Sequence, residues 1–139
     1  MDIQDYIFDK EIKLYCKKAD SFPAGIKPAF KHVHSLVDPI PFRKQFGISR
    51  RNQQGNLDYW AGNTELLNGE FKGKGLEVLY IPEGNYKYIS IRGYMDDISQ
   101  IEKAFTTLLD EVDTEQAPLG VEYYINEEEV WCMVKEKGE

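Results

Sequence analysis

Two hydrophobic spacings divide the chain. Apolar residues at every second position mark the segments 11–16, 45–49, 57–62, 75–81, 86–92, 120–125 and 129–134, the period of a pleated strand with one face turned inward. Elsewhere the period is three to four. Ile98, Ile101, Phe105, Leu108, Leu109 and Val112 fall on one helical face behind Asp97, which is expected to cap the helix with Gln100 as its capping-box partner. Ile26, Phe30, Val33 and Val37 share that spacing behind Pro23 and Pro28, and Pro39 and Pro41 end the helix they define. Pro82-Glu83-Gly84-Asn85 reads as a turn between two strands, residues 50–56 as a polar turn, and Pro118 and Gly120 as a break before the last two strands.

The order strand, helix, strand, strand therefore occurs twice, over about 10–63 and about 75–135, within one domain spanning 1–139. Residues 63–74, rich in Gly and Asn turn signals, join the halves. The expected fold class is α+β: two tandem βαββ repeats forming a curved antiparallel sheet, with the helices near 23–37 and 98–112 packed on the same side.

Composition supports a folded chain rather than a disordered or membrane-spanning one, since 42% of residues are apolar, 13% are aromatic and no apolar run approaches the ~20 residues of a spanning helix. The start, Met1-Asp2-Ile3-Gln4-Asp5, is acidic and lacks the basic and apolar regions of an export signal, so the expected location is the cytoplasm. Charge is lopsided: residues 1–51 carry 10 Lys and Arg against 6 Asp and Glu, whereas residues 52–139 carry 7 against 18. An acidic second half disfavours nucleic acid, which needs clustered cations, and suits a cationic ligand, although a solvated acidic surface is the commoner reason for such a bias.

Candidate chemistry concentrates in the last two strands. Alternation puts Glu122 and Tyr124 on one face of the first, and separates Glu129, Trp131 and Met133 from Val130, Cys132 and Val134 on the second. The aliphatic face reads as core. A face combining carboxylates with large flat rings can hold an organic cation through charge attraction and cation–π contact. Only Glu129 of the run Glu127-Glu128-Glu129 enters the strand pattern; Trp60 and Trp131 are expected groove walls, and Phe46 and Tyr94 are further candidates that burial would explain equally well.

Other sites are not indicated. Cys16 and Cys132 match no zinc spacing and read as reduced thiols, His32 and His34 lie two apart on a helix and cannot converge on one metal, and Gly73-Lys74-Gly75 is too short for a phosphate loop. No cofactor or metal is expected.

Five short motifs, in order and with fitting gaps, resemble the GyrI-like effector-binding domains found alone or in AraC-type and MerR-type bacterial regulators. They are Phe46-Gly47-Ile48-Ser49, Asp58-Tyr59-Trp60-Ala61-Gly62, Ile81-Pro82-Glu83-Gly84-Asn85-Tyr86 leading into Ile91-Arg92-Gly93-Tyr94, Val121-Glu122-Tyr123-Tyr124, and Glu129-Val130-Trp131. The resemblance covers the chain from the strand at Glu11 to Lys135 and implies a duplicated βαββ fold with a ligand groove on the sheet face away from the helices. It also implies a buried pocket glutamate at Glu122. This chain departs from the pattern at Met133, where a proline is usual, and at Trp60, where an aliphatic residue is common.

The leading expectation is a stand-alone module that senses or sequesters a cationic or aromatic small molecule, without contacting DNA or membrane itself. The ligand set is Glu122, Tyr124, Trp131, Trp60, Phe46, Tyr94 and Glu129. One alternative is a hydrolase of reactive small molecules, with Glu122 as general base positioned by Tyr124. Another is a protein-interaction module such as a gyrase modulator, and self-association into a homodimer is left open.

Overall fold

The computed structural model describes residues 1–37 and 43–138. Its strands are β1 (Gln4–Phe8), β2 (Ile12–Lys18), β3 (Gln45–Arg51), β4 (Leu57–Asn63), β5 (Glu77–Ile81), β6 (Gly84–Arg92), β7 (Gly120–Tyr124) and β8 (Glu129–Lys135). The helices are α1 (Ile26–Ser35) and α2 (Ser99–Glu111). All strands join one antiparallel sheet in the order β1-β6-β8-β7-β3-β4-β2-β5. That order has an internal symmetry. Reading outward from the central β3–β7 pair gives β3-β4-β2 on one side and β7-β8-β6 on the other, so the two βαββ repeats are related across their shared edge.

The sequence pattern missed β1. Its five residues alternate poorly, yet Tyr6 and Phe8 point into the core while Asp5 and Ile7 remain exposed. β1 pairs with β6 of the second repeat, and β5 pairs with β2 of the first. Each repeat therefore lends a strand to the other. α2 begins at Ser99, and Ile98 before it makes no side-chain cap; the Asp97 carboxylate accepts the Ser99 hydroxyl and is held below its ordinary pKa by that hydroxyl first, and also by the Ser99 N–H and the expected partner Gln100. The prolines expected to end α1, Pro39 and Pro41, lie outside the described residues.

The two faces of the sheet bury different cores. On the concave face, Phe8, Leu14, Phe46, Ile48, Trp60, Ile81, Tyr86, Tyr88, Val121 and Met133 bring at least one side chain from each of the eight strands into one cluster. A single cluster fed by every strand requires the sheet to curl over itself as a half-barrel, and that interior is filled with side chains. The opposite face carries both helices. α2 packs Ala104 and Leu108 on Ile89, Ile91, Val130, Cys132 and Val134, and α1 packs Ala29 and Phe30 on Tyr59 and Ala61.

The linker between the repeats is anchored as well. Phe71 is buried and stacks on Tyr15 with ring centroids 5.1 Å apart. Beside it the Arg43 guanidinium makes a two-pronged contact with Glu70, at 2.8 and 2.7 Å, while Glu70 Oε2 also accepts the backbone N–H groups of Leu66 and Leu67. Glycines with positive φ at 69, 73 and 75 make the turns that bring Glu70 and Phe71 into place.

Candidate functional site

Glu122 lies on β7 at the seam between the repeats, 6% exposed, on the face that carries the helices. Its strand neighbours make room for it. Gly47 pairs directly with Glu122 and, on its other side, with Ala61. A Cβ at Gly47 would stand 2.0 Å from the Tyr59 hydroxyl oxygen and 3.0 Å from Glu122 Oε1. With no side chain there, Tyr59 reaches diagonally across β3 and donates to Glu122 Oε1 at 2.9 Å. Tyr124 donates to the same oxygen at 2.5 Å, and the two phenol oxygens lie 3.4 Å apart.

Both donors go to one oxygen. Among the described residues Oε2 accepts no hydrogen bond, and no cationic side chain forms an ion pair with this carboxylate. Burial therefore raises the Glu122 pKa above its ordinary value, and the two phenols only partly offset that rise. Burial, and after it the same charge, pushes the Tyr59 and Tyr124 phenols far up, so both remain protonated donors.

Rings enclose the group. Phe30 of α1 meets Tyr124 edge-on at 5.5 Å and Tyr59 at 6.3 Å, Tyr94 meets Tyr124 at 5.7 Å, and the exposed Phe22 tilts against Tyr59 at 5.8 Å. The arrangement is a partly uncompensated carboxylate under a roof of aromatic faces and edges, between the two helices. Two surface depressions lie elsewhere, one at Ser35, Leu36, Leu67 and Glu70 and one at Gln4, Ser90, Arg92 and Gln100. Neither holds a buried carboxylate left without a cation, so the chemistry favours Glu122.

The sheet divides the residues expected to form one site. Tyr124 and Tyr94 do gather at Glu122. Phe46, Trp60, Trp131 and Glu129 lie on the concave face, where Phe46 contacts Tyr123 at 4.5 Å, Trp131 stacks on Tyr88 at 4.2 Å, and Glu129 accepts from Ser90 and from the Trp131 indole. These bonds hold the Glu129 carboxyl below its ordinary value. The expected closeness of Trp131 to Glu122 is thus corrected. Asn126 Oδ1 accepts from the N–H groups of Glu128 and Glu129, and the turn it fixes pairs Glu122 with Cys132 and Tyr123 with Trp131. On β4 the same parity assigns Tyr59, rather than Trp60, to the carboxylate. Tyr59 and Phe30 were visible in the sequence only as a strand aromatic and a helix-face aromatic.

The glycine at 47 gives a direct test. Gly47→Ala should push the Tyr59 hydroxyl off Glu122 and cost about 1–3 kcal/mol of stability, as overpacking does, measured by denaturant unfolding. The carboxylate gives a second. A folded-state pKa raised above the ordinary 4.5 means that stability is complete below that value and falls as pH rises through the folded pKa. Glu122→Gln escapes this fall. It should melt several degrees above wild type at pH 7, on the order of 1 kcal/mol, with the gap closing below about pH 4.5.

Among the described residues, no three His, Cys, Asp or Glu side chains come together as a metal site, and no helix is long and apolar enough to cross a membrane.

A curled eight-stranded antiparallel half-barrel with two helices on one side, built on a duplicated βαββ order, is a fold found in other solved proteins. One is the integron cassette protein VCH_CASS2 from the mobile metagenome of Vibrio cholerae, with a TM-score of 0.66 at 10% identity over 97% of this chain and 95% of that one. Another is a hydrolase from Listeria innocua, with a TM-score of 0.56 at 6% identity over 97% of this chain and 91% of that one. At such identities the likeness is one of fold. No protein-family model matches the chain, and no curated protein matches it in sequence.

Proposed function

We propose that the protein binds a lipophilic organic cation between α1 and α2, with Glu122 as counter-ion and Phe30, Tyr59, Tyr94 and Tyr124 as the aromatic surround. The observation that carries this reading is a carboxylate 6% exposed, held by two phenols on one oxygen and balanced by no cation among the described residues. A buried charge of this kind is costly alone, and a bound cation relieves the cost while the rings supply cation–π attraction. The resemblance to GyrI-like effector-binding domains likewise implies a small-molecule ligand and a pocket glutamate, for sensing or sequestration. The groove it implies on the face away from the helices is corrected: that interior is filled with side chains, and Glu122 lies on the helix face.

Phe22 and Phe30 of α1 lie against the two phenols, so binding should require them to move outward. Calorimetric titration with phenyltrimethylammonium and its neutral isostere tert-butylbenzene is the test. The cation should bind and the hydrocarbon much less. Equal affinity for both would remove charge recognition from the account.

A hydrolytic reading rests on the same oxygen. With Oε1 occupied by the phenols, Oε2 could accept a proton from a water that attacks a strained electrophile, and the raised pKa of Glu122 suits a general base. The fold likeness to the Listeria hydrolase is compatible with this. Mass spectrometry of a reactive epoxide incubated with the protein distinguishes the readings: a product one water heavier, formed by wild type and not by Glu122→Gln, marks an enzyme.

A further inference from the structure

On the concave face, the two tryptophans differ in a way that points to a second site. The Trp131 indole N–H donates to Glu129 at 2.8 Å, whereas the Trp60 indole N–H is buried without a hydrogen-bond partner in a side chain only 4% exposed. An indole nitrogen can only donate, so its unmet requirement is an acceptor. Its surroundings supply positive charge instead. Lys18 Nζ lies 5.5 Å from the Trp60 ring centroid and the Arg50 guanidinium carbon 5.4 Å from it.

Register explains the grouping. Lys18 of β2 and Ile48 of β3 both pair directly with Trp60, and Arg50 is the next β3 residue on Trp60's side of the sheet. The nearby carboxylate is already engaged: Asp58 sits 3.5 Å from Lys18 and accepts from the Asn52 amide. Arg50 forms no ion pair among the described residues. Two cationic groups thus lie over the ring that carries the unpartnered N–H, beside one carboxylate whose Oδ1 is already engaged.

We propose that Trp60, Lys18 and Arg50 form a site for an oxyanion, the carboxylate or phosphate group of a small molecule. The oxyanion accepts from the orphaned indole N–H, and the two cations close over it as counter-charges. Lys18 and Arg50 are long, exposed side chains whose charged ends lie over the ring, so they can lift to admit the anion without disturbing the core. The site is separate from Glu122, since the sheet lies between them, and it does not depend on the cation-binding reading.

The test follows the two indole N–H resonances of ¹⁵N-labelled protein during titration with benzoate and, separately, inorganic phosphate, at ionic strength matched with chloride. One resonance, assigned to Trp60 by its absence in Trp60→Phe or by the loss of the other in Trp131→Phe, should move saturably, and the responding anion identifies the preferred head group. Lys18→Gln combined with Arg50→Gln should weaken binding by about tenfold or more, because both counter-charges are lost. Glu122→Gln should leave the titration unchanged. The proposal is overturned if neither anion moves the Trp60 resonance beyond the chloride control, or if the double variant titrates as wild type does.

Discussion

Glu122→Gln should weaken binding of phenyltrimethylammonium by roughly 1.5–3 kcal/mol, about 10- to 150-fold, while the affinity of a neutral ligand changes little. The amide preserves the volume of the side chain and still offers an oxygen to Tyr59 and Tyr124, so the aromatic surround remains in place. What disappears is the charge. Because the same variant is expected to melt higher at neutral pH, weaker cation binding could not be blamed on a damaged fold. If the site also hydrolyses a substrate, the variant should lose turnover while neutral substrate still binds.

The second large effect concerns the linker. Arg43→Ala should destabilise the protein by about 2–4 kcal/mol, because it strands Glu70, whose side chain is 10% exposed, without the guanidinium that faces it. The pH dependence should carry the same signature. Arg43 holds the Glu70 carboxyl down at about 2, against an ordinary 4.5, so the stability it contributes is present above 4.5 and is lost as pH falls from there towards 2. Denaturant midpoints of wild type and Arg43→Ala should therefore converge in that acid range. A constant gap down to pH 2 would mean the pair contributes through packing rather than charge.

Much of this architecture was legible because local pattern and tertiary role coincide. The 98–112 period produced α2, with Leu108 buried and Ile101, Phe105 and Val112 packed on the core while Ile98 and Leu109 of the same expected face stay exposed, and the repeated strand-helix-strand-strand order produced the symmetric halves of one sheet. β1 was illegible because its stability comes from pairing with β6, more than seventy residues away, rather than from any pattern of its own. The site was half legible. Alternation within β7 correctly joined Glu122 to Tyr124, but it could not say which face of β8 or β4 shared their side. That depends on whether turns add an odd or an even number of residues, which Asn126 settles for β7 and β8 by capping the turn between them. Trp60 and Trp131 are the conspicuous residues in the sequence, yet the neighbours Tyr59 and Cys132 occupy the carboxylate's face.

Gly47 carries a related lesson. In a strand pattern a glycine reads as a weak point, and here it is the gap through which a phenol from β4 reaches a carboxylate on β7. The raised pKa and the unoccupied Oε2 follow from that convergence on one oxygen, which no linear pattern encodes.

The central claim is that Glu122 is a buried anion whose charge is completed by a cationic ligand. Its most direct test is to follow the Glu122 side-chain carboxyl carbon by ¹³C NMR through a pH titration, with and without saturating phenyltrimethylammonium. The free protein should titrate above the ordinary carboxylate range, and the bound cation should draw the transition downward by favouring the ionised form. A Glu122 transition that stays at the same pH when the cation is bound would contradict the account.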